Sequence, residues 1–342
     1  MRNPRTTIAA AALAIIVASA SAAQAQSSPP ATQRWYDRVT VTGYMQFDAV
    51  FPEGESRHGH ISNFRLRRGR PTIEAQLDPL TRVRVVWDVS TGAAGHSAST
   101  AFVADTWAQR QIPGFGFVRA GQMLLPFGRE IHEDTGGVRS PLELSHAGSA
   151  IALAEQDIGI MLGSQRRENE VLNWVFGFYN GQGMRHADAN SNKTWAGRLA
   201  AQVNPDLRVA VSGMFGTFLD TSPGGTRRTF DRHVLGVDVT ATLSPEVKLS
   251  GELYNVRFVD SVTAPTRQAR FTGGYLMWEG WIADWKSIPF VRFNRTYGDL
   301  SYSSIDLGWR YQYAPNQRLT VQYDIVKGAR NDSFGVRWQL NL

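Results

Sequence analysis

The feature that most constrains this chain is a period-two alternation of apolar and polar residues, held over segments of about ten residues. Val39, Val41, Met45, Phe47, Ala49 and Phe51 alternate with Thr40, Thr42, Gln46 and Asp48. Ile305, Leu307, Trp309, Tyr311 and Tyr313 oppose Asp306, Arg310 and Gln312, and Leu319, Val321, Tyr323 and Ile325 oppose Thr320, Gln322 and Asp324. The chain closes on Phe334, Val336, Trp338, Leu340 and Leu342 against Arg337, Gln339 and Asn341. Successive side chains of a strand point to opposite faces, so each segment has one apolar and one polar face. Strands of soluble domains are typically about five or six residues, whereas a tilted strand that crosses a bilayer needs about 9–11.

Sixteen such segments are read, near 39–51, 62–77, 82–90, 101–110, 117–125, 156–164, 171–180, 194–203, 208–218, 232–243, 247–259, 269–283, 287–297, 302–313, 318–326 and 333–342. Alternate connections are short turns, several with proline: Asp78-Pro79, Pro113-Gly114, Asn204-Pro205, Ser244-Pro245 and Ala314-Pro315, with 166–170 and 284–286 doing the same without it. The other connections are more polar and mostly longer. An even number of strands, short turns at one end and longer loops at the other predict an all-β, antiparallel transmembrane barrel of about sixteen strands. The sixteen segments place the barrel over 39–342, after a lead-in at 26–38.

The first 25 residues read as an export signal. Arg2 and Arg5 precede an apolar run from Ile8 to Ala18, and Ala23-Gln24-Ala25 has the small-x-small form of a cleavage site. The run is shorter than the roughly 20 residues of a spanning helix. An exported chain without cysteine must hold its fold without disulfides. The formal charge is +6, carried mainly by arginine, with Lys only at 193, 248, 286 and 327. Export directs this charge away from nucleic acid, toward small anionic solutes and lipopolysaccharide. The chain also carries 10 Trp, 10 Tyr and 17 Phe; a barrel uses such residues as girdles at the two membrane interfaces.

Residues 126–155 form a connection far longer than its neighbours, with apolar Leu142, Leu144, Ile151 and Leu153 among Arg129, Glu130, Glu133, Asp134, Arg139 and Glu143. The expectation is a constriction loop folded into the lumen, with Arg129, Glu130, Arg139 and Glu143 at the narrowing; the alternative is a loop that projects outside.

Alternation also assigns the lumen. With Ile73, Ala75 and Leu77 toward lipid, Arg68, Arg70, Glu74 and Gln76 face inward; with Val83, Val85 and Trp87 toward lipid, Arg84 and Asp88 do. The same parity sends Arg198, Arg292, Arg310 and Arg337 inward, with Asp48, Asp238, Glu252, Asp306 and Asp324. Arginine on the lipid face at mid-depth costs about 2–4 kcal/mol. Arg65 and Arg67 have the opposite parity to Arg68 and Arg70. Either a register break near Gly69-Arg70-Pro71 turns both pairs inward, or Arg65 and Arg67 lie at the outer interface against lipopolysaccharide phosphates.

Several stretches resemble the phosphate-selective porin O and P family: Phe64-Arg65-Leu66-Arg67-Arg68-Gly69-Arg70, Arg119-Ala120-Gly121-Gln122-Met123-Leu124-Leu125-Pro126-Phe127-Gly128, Gln156-Asp157-Ile158-Gly159-Ile160 and Gly177-Phe178-Tyr179-Asn180-Gly181. The likeness is densest from about 62 to 200. It implies a sixteen-stranded barrel, a homotrimer, an inward third loop and an anion-favouring channel. The chain departs from the family in lacking a heptad-like N-terminal extension and in its few lysines.

No cofactor is expected, and no enzyme. A hydrolase needs a serine and histidine brought together with an orienting group; His58, His60, His132, His146 and His186 all fall in loops, and Ser145-His146 are merely adjacent. His58 and His60 lack the further ligands a metal site needs. The expected function is passive diffusion of small hydrophilic solutes across the bacterial outer membrane, with preference for anions such as phosphate or carboxylates. A plugged structural or adhesive barrel and a porin for neutral solutes are the alternatives.

Overall fold

Each alternating segment forms a strand, because only backbone pairing between strands satisfies the N–H and C=O groups of a two-faced extended chain. The computed structural model describes residues 35–53, 63–91, 99–133, 139–151, 156–164, 171–184, 193–220, 228–257, 270–327 and 332–342. The export signal expected at 1–25 and most of the lead-in lie outside these residues; Trp35–Arg38 form a 3-10 turn. The strands are β1 (Val39–Pro52), β2 (Asn63–Asp78), β3 (Thr81–Thr91), β4 (Ser99–Ile112), β5 (Gly116–Leu124), β6 (Gln156–Gly163), β7 (Leu172–Tyr179) and β8 (Thr194–Asn204). They continue as β9 (Leu207–Asp220), β10 (Arg228–Ser244), β11 (Val247–Val256), β12 (Phe271–Gly280), β13 (Ser287–Gly298), β14 (Tyr302–Ala314), β15 (Gln317–Lys327) and β16 (Ser333–Asn341). Every strand pairs antiparallel with its sequence neighbour, and β1 pairs with β16, so the sheet closes into a sixteen-stranded barrel.

The strand register matches the alternation. β10 starts four residues earlier than the sequence suggests, and β12 is shorter at both ends. At the turn end, four hairpins shift register beside a proline turn, after Gln76, Gln202, Thr242 and Gln312. Three of these positions are glutamine, and each donates its side-chain amide to carbonyls of the turn: Gln76 to Asp78 (2.5 Å), Gln202 to Asn204 (2.7 Å), Gln312 to Ala314 (2.7 Å). Proline supplies no donor there, so the glutamine closes the turn.

The outer face is apolar. Leu235, Val237 and Val239 of β10, Leu253 of β11 and Leu276 of β12 are all exposed. Aromatic groups collect at both rims. Phe51 lies 6.1 Å from Phe64 and 6.3 Å from Phe334 at the loop end, and Phe115 packs on Trp174 (5.6 Å) and Trp285 on Trp309 (5.9 Å) at the turn end. The inner face is polar, with Gln46, Asp48, Arg198, Asp238, Arg292, Asp306, Gln322 and Arg337 buried.

The contrast between the faces can be measured. Val237→Arg, near the middle of β10, is expected to destabilise the barrel by about 2–4 kcal/mol in urea unfolding from lipid vesicles. A loss below about 1 kcal/mol would show that this face does not meet hydrocarbon.

Candidate functional site

The inner wall carries an apolar patch, and the long connection between β5 and β6 rests on it. Leu125, Phe127 and Ile131, with Ala147 and Ile151, cluster with Met123, Met161, Tyr179, Met214, Val234, Tyr254 and Phe271 of the wall. Two short helices form in the connection, α1 (Arg129–His132) and α2 (His146–Ile151). Gly128 opens α1 with φ +66°, and a Cβ there would fall 3.0 Å from Glu252 Oε1, so the tight entry requires glycine.

Glu252 of β11 receives this end of the connection. It accepts from the backbone N–H of Arg129 and of Glu130 (3.0 Å) and from the hydroxyl of Tyr254 (2.6 Å). A carboxylate at the start of a helix satisfies donors that have no partner within it. Glu130 then holds the two halves of the connection together. It accepts from Arg292 of β13 (2.8 Å) and from both the N–H (2.7 Å) and hydroxyl (2.6 Å) of Ser145. Arg139 donates to the Glu130 carbonyl (3.1 Å), and Arg129 donates to Tyr275 of β12 (3.2 Å).

Arg292 spans wall and connection. Its Nε pairs with Asp306 (2.6 Å), while Nη1 also reaches the carbonyl of Glu143 (3.0 Å). Arg337 of β16 does the same, with Asp48 (2.7 and 2.8 Å), the Leu142 carbonyl and Glu143 (3.0 Å). Glu143 also takes a bidentate pair from Arg67 (2.6 and 2.8 Å). Burial pushes the Glu143 carboxyl up, but Arg67 and Arg337 outweigh this and hold it well below the ordinary carboxylate range. At the other end Arg208 (2.6 Å) and Arg198 (3.2 Å) grip Glu133, and Arg198 also pairs with Asp238 (2.9 Å). Burial raises the Glu133 carboxyl too, and the Arg208 bond with the charge of Arg198 brings it below its usual value.

These polar contacts lie on β8–β14, β16 and β1, with Arg67 reaching across from β2. The wall of β1–β5 is different. A cavity there is lined by Tyr44, Arg70, Arg82, Arg84, Trp107 and Arg119, with Leu124 of β5 and His132 of the connection also in its lining. Arg70 is paired with Asp88 (2.6 Å), but Arg82 (3.3 Å) and Arg84 (3.7 Å) share the single carboxylate Glu74. Among the described residues Arg119 bonds only the neutral carbonyl of Gln109 (3.0 and 2.7 Å), and it stacks over Trp107 at 4.2 Å. Arg82 and Arg84 stay 37% and 38% exposed, although both lie on the inner face.

The sequence-predicted residues thus fall into two groups. Arg198, Arg292 and Arg337 bind carboxylates and the connection, together with Arg129, Glu130, Arg139 and Glu143. Arg70 and Arg84 line the cavity, and Arg68 sits opposite Gln46 on the same inner face. Arg310 shares the parity of Asp306 in β14 and lies near the turn end. The four arginines of β2 do not divide by parity. The register shifts between Gln46 and Phe47, with Gln46 facing Arg68 and Phe47 facing Leu66, so Arg67 is the extra residue. The break therefore falls at Arg67, short of Gly69, which pairs regularly with Met45 and Val89. Arg65 pairs with Asp48 (3.3 Å), and all four arginines turn inward.

Arg82, Arg119 and Trp107 were not singled out from the sequence. Arg82 shares the parity of Arg84 and could have been found from it. Arg119 required knowing that Gln109 is its cross-strand partner. His58, His60 and His186 lie outside the described residues. Ser145 donates its hydroxyl to Glu130, and His146 lies against Tyr302 (ring centroids 3.5 Å apart).

No family profile and no curated relative matches the chain. Solved structures do match. An outer membrane protein of Vibrio cholerae, OmpT in a trimer form, is similar with a TM-score of 0.61 and 12% identity, over 89% of this chain and 99% of that one. The outer membrane channel DcaP of Acinetobacter baumannii is similar with a TM-score of 0.60 and 10% identity, over 89% and 97%. A variant of the Rh. blastica porin gives 0.58 and 11%, over 89% and 100%. At these identities the likeness is one of fold.

Two outcomes follow for the connection. Glu130→Ala leaves the buried Arg292 with one carboxylate and Ser145 without an acceptor. Breaking a buried pair costs about 3–5 kcal/mol where water is excluded, so protease cleavage between 125 and 156 should accelerate markedly while the barrel stays intact. Unchanged cleavage would show that Glu130 does not hold this segment. The second outcome concerns pH. Burial, then Arg198, lowers the His132 imidazole from 6.5 to about 4. The released segment therefore binds a proton that the docked one refuses, and docking weakens as pH falls from about 6.5 toward 4. The depressed carboxyls of Glu133 and Glu143 stay ionised until lower pH. Cleavage should rise across this window in the native protein and respond less in His132→Gln.

Proposed function

We propose that this chain is an outer-membrane porin that admits small hydrophilic solutes by passive diffusion and weakly prefers anions such as phosphate and carboxylates. The observation that carries this reading is the unequal inner wall. One side is covered by the docked connection, and its arginines are neutralised by carboxylates. The side formed by β1–β5 keeps Arg70, Arg82, Arg84 and Arg119 around a cavity, with Glu74 shared and Arg119 lacking a carboxylate within 4.0 Å among the described residues.

A pore selects by width, charge and hydrogen-bonding groups. The docked segment acts as a constriction loop, and solutes pass between it and the arginine wall. Guanidinium groups there offer paired N–H donors suited to the flat faces of phosphate and carboxylate. Glu74, Asp88 and Asp105 on the same wall temper the field, so the preference is mild and is not specific for phosphate. The apolar outer face and aromatic rims suit a bilayer. Delivery by a signal over residues 1–25, contact with lipopolysaccharide and assembly as a homotrimer complete the reading, the last because the Vibrio cholerae neighbour is described in a trimer form.

Single-channel recording in planar bilayers under a salt gradient tests this, with phosphate and succinate as competitors. Native protein should give stable steps, a reversal potential of anion-favouring sign, and partial block by both competitors. Replacing Arg82, Arg84 and Arg119 together by glutamine leaves Glu74 in excess and should carry the selectivity through neutrality toward cations. Replacing Arg70 alone should do less, because it removes one positive charge where the triple change removes three. Native protein that inserts but never conducts would favour a structural barrel. Selectivity unmoved by the triple change would remove the arginine wall from the pathway.

A further inference from the structure

The apolar outer face of the barrel is broken by Arg295. In β13 the exposed Val291, Phe293 and Tyr297 share its parity, whereas the buried Arg292, Asn294 and Thr296 face inward. Arg295 therefore lies on the outside, three residues from the loop end of its strand at Gly298. Its guanidinium stacks on Tyr297 at 4.6 Å. Its Nε is buried without a hydrogen-bond partner, and no carboxylate lies within 4.0 Å among the described residues. The charge faces a hydrocarbon environment with nothing from the described protein to balance it, a placement that bilayers penalise less near their surfaces but still penalise.

The wall beside it is a slot. Gly274 of β12 stands opposite Arg295 on one side and Leu253 on the other, and Gly251 of β11 lies one step further toward the turn end. With no side chains there, the floor is bare, and Leu199, Val211, Val237, Leu276 and Phe293 line the remainder. The lining is almost entirely apolar, with the arginine at one end. One register step nearer the loop end, Asn255 donates to Thr272 (3.0 Å) and adds polar groups beside that arginine.

We propose that this slot is a lipid-binding site, holding an acyl chain of a phosphate-bearing lipid from the loop-side leaflet, with the lipid phosphate bonded to Arg295. The apolar floor suits a chain, and the guanidinium fork suits a phosphate. Charge complementarity favours this occupant, because the lipid phosphate supplies the anion that Arg295 lacks, whereas the outward strand positions of a second copy are mostly apolar, with Asp231 of β10 as an exposed acid among them. The proposal rests on the barrel's placement in a membrane and is independent of conduction.

Native mass spectrometry in a neutral detergent, with lipid A as the probe, tests it. The native protein should retain one lipid per chain at low lipid concentration. Arg295→Gln should weaken retention roughly tenfold, the loss expected for one charge-assisted contact. Dephosphorylated lipid A should bind the native protein no better than lipid A binds the variant, and Gly251→Leu, which fills the slot, should also reduce retention. Conductance of Arg295→Gln should match the native protein, so failure here leaves the porin reading standing. Equal retention by all forms overturns the proposal. So does loss of oligomers in Arg295→Gln with lipid retention unchanged, which would make this face a contact between copies.

Discussion

The pairing of β1 with β16 is the constraint on which everything else depends. In hydrocarbon an open strand edge leaves a row of N–H and C=O groups with neither water nor protein to bond, at a penalty of several kcal/mol each. The pairing of Tyr44 through Pro52 with Asn341 through Ser333 removes that edge. Once the ring closes, the alternation of every strand acquires a fixed meaning: one set of side chains faces outward, the other toward a shared interior. An all-polar interior of this size would be water and little else, so whatever narrows it must be bonded in side chain by side chain.

That bonding explains why so many interior charges are paired. Arg198, Arg292 and Arg337 each hold a wall carboxylate and, at the same time, a group of the segment after β5. Such arginines work as struts, and their charge is spent on position. In the proposed porin, the charge that acts on a solute comes from guanidiniums with fewer acidic neighbours, and these stand on the opposite side, near Glu74 and Trp107. Attachment there falls mainly to β8–β16 and solute contact to β1–β5, with Arg67 of β2 joining the first group.

The strands were legible in the sequence because lipid and water impose a strong two-sided pattern, and proline marks the tight turns. The parity of Arg84, Arg198, Arg292 and Arg337 was legible for the same reason. The partners were not. Glu252 receives α1 across more than a hundred residues, and no local pattern marks that pairing. The stretch around Arg67 was half legible: its conflicting parity announced an irregularity but not its location, which depends on Glu143 being within reach of the extra residue. Arg295 was invisible as a special position, because a strand pattern read for inward charges passes over a lone outward one.

The irregularity at Arg67 bears on assembly. A hairpin of β1 and β2 that slipped by one residue, or formed without the extra one, would send either Arg65 or Arg68 into the acyl chains and strip Asp48 of a neighbour. The observed alignment keeps the whole basic run on the inner face, so the arginines disfavour a slipped first hairpin.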